Sequence, residues 1–230
     1  MSSIPQTLYR LYPKNTAFFC CDIQERFTSM IYGFDGVVST SQKMLKASKI
    51  MDIPLVVTEQ KPSGTYAASH QPAFSSAHLY ISTALGKTVK ELDVSHASLN
   101  RDKMRFSMLV PEVRTWLEEQ KIRSVVIFGI ESHVCVLETV LDLLTLPSLT
   151  RGPEAGGVHI LADAVSSCNA AEIPIALGRM RDAGACVTSS ESALFQLLRD
   201  ASHPNFRQVS ELIKEYRDAN QANPLWPSKI

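Results

Sequence analysis

No apolar run in this sequence approaches the roughly 20 residues that span a bilayer, so no membrane association through a spanning helix is expected. Neither sign of charge is in excess, since 23 lysines and arginines balance 23 aspartates and glutamates. That balance argues against bulk attraction to nucleic acid or an anionic membrane, while leaving local patches open. The first fifteen residues hold Arg10 and Lys14 but no secretory hydrophobic stretch. They also lack acidic residues, as mitochondrial presequences do, yet they are poor in Arg and Ser. The cysteines form no regular framework: there are five, an odd number, as expected of reduced intracellular thiols. A soluble, intracellular protein is expected, with the cytoplasm favoured and the mitochondrion left open. Internal repeats and low-complexity tracts are absent as well.

What the chain does have is an alternation of short β-branched or apolar runs with amphipathic stretches. Its 230 residues and 45% hydrophobic content suit one doubly wound domain with a sizeable core. The alternation predicts a mostly parallel sheet flanked by helices on both faces. Strands are expected at 16–21, 54–58, 123–128, 158–161 and 185–188, with a short one near 103–106. Helices are expected at 39–51, 111–120, 133–144, 173–182 and 191–198. Residues 61–84, rich in Ser, Ala, Pro and His, read as a long excursion. Residues 1–13 read as an extension before the domain. A further helical pattern follows Phe206, and 201–230 is expected to end as an extended arm.

Ligands of open parallel sheets collect at the carboxyl ends of the strands, so polar residues just after each run are the candidates. Cys135 follows a glycine-closed strand and opens a leucine-rich helix. A helix amino end favours thiolate over thiol, and its unpaired amides suit an oxyanion. A small buried apolar cysteine is the competing reading. Asp22 breaks the run Phe18-Phe19-Cys20-Cys21, where a carboxylate can serve as general base and then acid. It can equally cap a helix over 24–30. Lys103, in Arg101-Asp102-Lys103-Met104-Arg105-Phe106-Ser107, could hold a thiolate ionised, or simply belong to a solvated charge cluster. Singly, none of the three decides the matter.

Together, these segments resemble the isochorismatase-like cysteine hydrolases. The likeness is carried by Asp22-Ile23-Gln24 with Phe27, by Lys103 through Ser107, and above all by Gly129-Ile130-Glu131-Ser132-His133-Val134-Cys135-Val136. It covers roughly residues 14–200, including Ala162-Asp163-Ala164-Val165-Ser166. With Thr58-Glu59-Gln60, it is similar to the isochorismatase domain-containing branch. The resemblance implies a Rossmann-like sheet, a triad of Asp22, Lys103 and Cys135, and a cis Ile130–Glu131 bond that points the Glu131 and Cys135 amides at one oxyanion. Gln24, Phe27, Glu59 and Ser132 are the implied pocket residues. It further implies a small-molecule substrate of amide or related acyl type, no cofactor, and a homo-oligomer.

The nicotinamidases of that superfamily carry an Asp/His metal site after the second strand. Thr58-Glu59-Gln60-Lys61-Pro62 lacks that pattern, and His70 and His78 are too loosely placed to restore it, so no catalytic metal is expected. A His133–Cys135 dyad is disfavoured, because residues two apart on a helix do not face each other. Cys20 reads as core, and Cys21 is undetermined. The leading expectation is a metal-independent cysteine hydrolase working through a thioester. A non-catalytic scaffold on the same fold is the alternative, and an RNA-processing protein is a third reading with no basic tract or aromatic RNA-binding motif behind it.

Overall fold

A computed structural model of the protein describes residues 9–60 and 85–226. Strand β1 (Thr16–Cys21) is buried at every position. Alternate side chains of a strand point to opposite faces, and here both faces meet apolar layers. Phe18 and Cys20 enter one cluster with Val126, Phe128 and Ile130, while Ala17, Phe19 and Cys21 enter the other with Val125 and Ile127. Burial on both sides is why the strand reads as a continuous apolar run rather than an alternating one.

The remaining strands are β2 (Leu55–Gln60), β3 (Leu99–Lys103), β4 (Ser124–Ile130), β5 (Gly157–Ser166) and β6 (Cys186–Thr188). They form one parallel sheet in the order β3-β2-β1-β4-β5-β6. Helix α1 (Phe34–Met51), with α6 (Ser190–Leu198) and α7 (Phe206–Glu215), covers the Phe18 side. Helices α2 (Pro111–Glu119), α3 (Leu137–Leu144) and α5 (Glu172–Asp182) cover the other. Two short helices, α4 (Pro147–Thr150) and α8 (Arg217–Gln221), complete the described set.

Several boundaries differ from the expected ones for identifiable reasons. β3 lies at Leu99–Lys103, ahead of 103–106, because it is an edge strand whose middle residues are exposed and polar. β5 runs on to Ser166 through a break in its pairing with β4 between Ile127 and Gly129. Asp163 sits in that irregular stretch, wholly buried, where its carboxylate accepts the Ser190 amide at 2.8 Å and the Ser190 hydroxyl at the start of α6. The expected helix over 24–30 is only a single turn of 3₁₀ helix, Glu25–Phe27. Residues 206–226 lie against their own chain, and 227–230, the end of the expected arm, lie outside the described residues. Val209 and Leu212 join the core, and the Asn223 side chain donates to the Asp163 carbonyl at 2.8 Å. The excursion at 61–84, with His70 and His78, and most of the 1–13 extension lie outside the described residues.

The order reverses between β1 and β4, which run out from the middle of the sheet to opposite edges. A crevice forms beyond the carboxyl ends of such a pair. Asp22 follows β1, Glu131 follows β4, and Lys103 ends β3.

Candidate active site

Asp22 has a left-handed backbone (φ 50°), a conformation Asp tolerates better than most residues, and its amide donates to the Thr58 carbonyl at 3.2 Å. The carboxylate is buried and doubly bound. Its Oδ1 accepts the Thr58 hydroxyl at 2.8 Å, and its Oδ2 accepts the Lys103 ammonium at 2.6 Å. Lys103 is therefore not part of a solvated loop. Its Nζ is enclosed by oxygens, donating also to Gln60 Oε1 at 2.7 Å, the Phe106 carbonyl at 2.7 Å and the Arg105 carbonyl at 3.2 Å. Three ammonium protons are thus shared among four acceptors. Burial works against this charge, but Asp22, then Cys135 and Cys21, outweigh it and hold Lys103 above the usual lysine range.

Cys135 lies within the electrostatic reach of that ammonium. It is nearly buried, 7% exposed, in a single π-helical turn (Ser132–Val136) that leads into α3. The turn departs from an ordinary helix start because Glu131 O accepts from both Val134 N and Val136 N, at 3.1 Å each, on either side of the Cys135 amide. The Ile130–Glu131 bond just before it is cis. Thr139 Oγ1 donates to the Cys135 carbonyl at 2.6 Å and accepts from Met108 N at 2.9 Å, tying the turn to the loop that follows Lys103.

Across β1, Cys21 is paired with Gly129. A Cβ at Gly129 (φ 125°) would stand 2.1 Å from the Cys21 carbonyl oxygen, so only glycine lets the strand ends approach this closely. The Cys21 thiol shares a packed layer with Cys135, and it is held well above its usual range by burial first, then by hydrogen bonding with Cys135 and by Asp22. Cys20, on the opposite face, is likewise raised by burial.

The remaining candidates are engaged largely with their own chain. Gln24 donates to the Gly86 and Gln60 carbonyls at 2.7 and 3.2 Å and accepts from Gln60 N at 2.7 Å. Glu59 accepts from Thr88 N and Oγ1 and from Lys87. Burial would raise the Glu59 carboxyl, but those donors prevail and hold it below its ordinary value. Glu131 Oε2 accepts from Cys168 N at 2.7 Å, and Phe27 is packed in the core. Ser132 Oγ meets Ser167 Oγ at 2.5 Å, and Ser167 Oγ also meets His133 Nδ1 at 2.8 Å. His133 is thereby turned to Ser167.

Thr58 and Gln60, which grip the Asp22–Lys103 pair, were not singled out as site residues. The available signal was strand alternation: on β2 they share one face, and Glu59 takes the other. Among the described residues, no group of three His, Cys, Asp or Glu is arranged to hold a metal ion. A hollow of about 920 Å³ lies elsewhere, lined in part by Tyr9, Arg10, Phe195, Arg199 and Trp226, and includes none of Asp22, Lys103 and Cys135.

Comparison with known proteins gives a consistent picture. The isochorismatase domain matches residues 16–192. Isochorismatase domain-containing protein 1 of Danio rerio is 41% identical over 209 residues, covering 90% of this chain and 64% of that protein. The chain therefore spans somewhat less than two thirds of that relative's length. The structure of MAR1 ribonuclease from Caenorhabditis elegans is 35% identical, with a TM-score of 0.75, covering 96% of this chain and all of that one. The ycaC gene product of Escherichia coli, an octameric hydrolase of unknown specificity, shares the fold at 19% identity and a TM-score of 0.70, covering 96% and 98% of the two chains.

Proposed function

The chain belongs to the isochorismatase family, and from that premise we propose that it is a metal-independent cysteine hydrolase of a small amide-like or related acyl substrate. The observation that carries this reading is the buried 2.6 Å contact between Lys103 and Asp22, with the Cys135 side chain close enough to raise the lysine's proton affinity.

Asp22 accepts the Cys135 proton and becomes neutral, and Lys103 offsets the single negative charge now carried by the thiolate. The thiolate attacks the substrate carbonyl carbon. The amides of Glu131 and Cys135 receive the oxyanion, a contribution of about 10²–10³ in rate per well-placed donor. Asp22 protonates the departing amine, leaving a thioester. Water then attacks the thioester with Asp22 as base, and the acid product leaves with the thiol restored. A homo-oligomer is part of the same reading, since Tyr32, Met104, Phe106 and Ile175 are large apolar side chains left exposed on one copy.

The test is the pH dependence of Cys135 alkylation by iodoacetamide, read by peptide mass spectrometry. We expect rapid reaction at neutral pH and a pH profile that changes in both Lys103→Ala and Asp22→Asn. Removing Lys103 leaves a buried carboxylate unpaired, a loss of about 3–5 kcal/mol, so urea midpoints are measured alongside. An inert Cys135, indifferent to both changes in folded protein, would sink the hydrolase and favour the scaffold.

The 35% identical ribonuclease gives a second reading, RNA cleavage, with the exposed Arg101 and Arg105 beside Lys103 as its local support. It predicts salt-dependent RNA cleavage that survives Cys135→Ala.

A further inference from the structure

We propose that Cys21 is a resolving thiol for Cys135: a hydroperoxide oxidises Cys135, and Cys21 then closes a disulfide that shuts the site reversibly. This rests on the hydrolase reading, because it takes Cys135 to be the reactive sulfur, and it gives a task to a buried thiol that the hydrolytic cycle leaves unused.

The placement of the two residues argues for it. Cys20 and Cys21 are neighbours in sequence, but strand alternation sends Cys20 into the Phe18 layer and Cys21 into the layer that contains Cys135. Both thiols belong to that one packed layer, near enough for Cys135 to act on the protonation of Cys21. The backbone underneath is pinned by the Cys21–Gly129 pairing, at the approach that excludes any Cβ on residue 129. Lys103 acts electrostatically on both sulfurs. Closing the bridge requires the sulfurs to contract to about 2.05 Å. Cys135 rides on the irregular π turn, and π turns of this kind concentrate at functional sites.

Accessibility sets the order of events. Cys135 is 7% exposed and Cys21 is wholly buried, so an oxidant meets Cys135 first. The Cys135 sulfur attacks one oxygen of hydrogen peroxide, and the O–O bond breaks. A sulfenic acid forms, and one water leaves with the thiol proton. The Cys21 sulfur then attacks the sulfenic sulfur, the S–O bond breaks, and the hydroxyl leaves as a second water carrying the Cys21 proton. In sum, two thiols lose two electrons to one peroxide, giving one disulfide and two waters. Cys21 is wholly buried, so outside electrophiles do not reach it, and its proton passes to the departing hydroxyl as its sulfur attacks the neighbouring sulfenic sulfur.

The experiment treats the reduced full-length protein with hydrogen peroxide, blocks free thiols with N-ethylmaleimide, and maps the peptides by mass spectrometry. The expected product joins the Cys21 and Cys135 peptides, disappears with dithiothreitol, and persists in Cys20→Ala. In Cys21→Ala and Cys21→Ser the link is lost, and Cys135 accumulates as sulfinic acid that dithiothreitol does not restore. The idea is overturned if wild-type Cys135, still rapidly alkylated by iodoacetamide, oxidises without ever linking to Cys21; the hydrolase reading then stands. If Cys135 resists both peroxide and iodoacetamide, both fall together. The wild-type map decides the matter even if a Cys21 variant fails to fold.

Discussion

A buried ionisable group declares its partners through what it loses when they go. His159 illustrates this away from the site. Its Nε2 meets the Gly156 carbonyl at 2.7 Å, its Nδ1 is buried with no hydrogen-bond partner among the described residues, and burial lowers its proton affinity, against the help of Gly156. Protonation would bury an unpaired donor, a cost of roughly 1–3 kcal/mol. Because the folded pKa is depressed, its contribution to stability is present in full above about pH 6.5 and is lost as pH falls through the folded value. His159→Leu is therefore expected to flatten the decline of Tm below pH 6.5, measured by calorimetry across pH 4–8. His96, also depressed, keeps some slope. At this scale the sequence named Asp22, Lys103 and Cys135 but could not choose between their chemical and structural readings. A carboxylate that caps a helix and one that grips an ammonium look alike until Thr58, Gln60 and Phe106 are folded around them.

At the scale of the element, strands buried on both faces announced themselves, and β1 was legible to the residue. Edge and irregular strands did not. Leu99-Asn100-Arg101-Asp102-Lys103 carries no apolar run, and its strand character comes from pairing with β2. The π turn at Cys135 was equally hidden, since no local pattern separates it from an α-helix start. Gly129 is where an element controls the site. Gly129→Ala is expected to cost at least 1–3 kcal/mol through overpacking and its positive φ, seen as a lower urea midpoint. By pushing β4 from β1 it should also slow Cys135 alkylation under native conditions. Unchanged stability and alkylation would mean that the close approach is dispensable.

For the whole molecule, the β-α alternation implied a mostly parallel sheet with helices on both faces but not its strand order, and that order brings segments far apart in sequence to one end of the sheet. The resemblance implied a homo-oligomer, but the surface it would use was not legible, because exposure of Met104, Phe106 and Ile175 is a property of the folded surface. Sedimentation at micromolar concentration is expected to show a homo-oligomer; a monomer across the concentration range would refute that part of the reading. No described helix is long and apolar enough to cross a membrane.

The sheet order also governs how the chain must emerge from the ribosome. β1 needs β4 on its second edge, yet Ser124 lies 108 residues beyond its partner Thr16. At about 5–20 residues per second of synthesis, one side of Phe18-Phe19-Cys20-Cys21 waits roughly 5–20 s for its neighbour. During that interval an apolar strand edge stands open to other nascent chains. The same central position that later draws Asp22 and Glu131 to one end of the sheet leaves the newborn chain with its apolar middle half-paired for most of its synthesis.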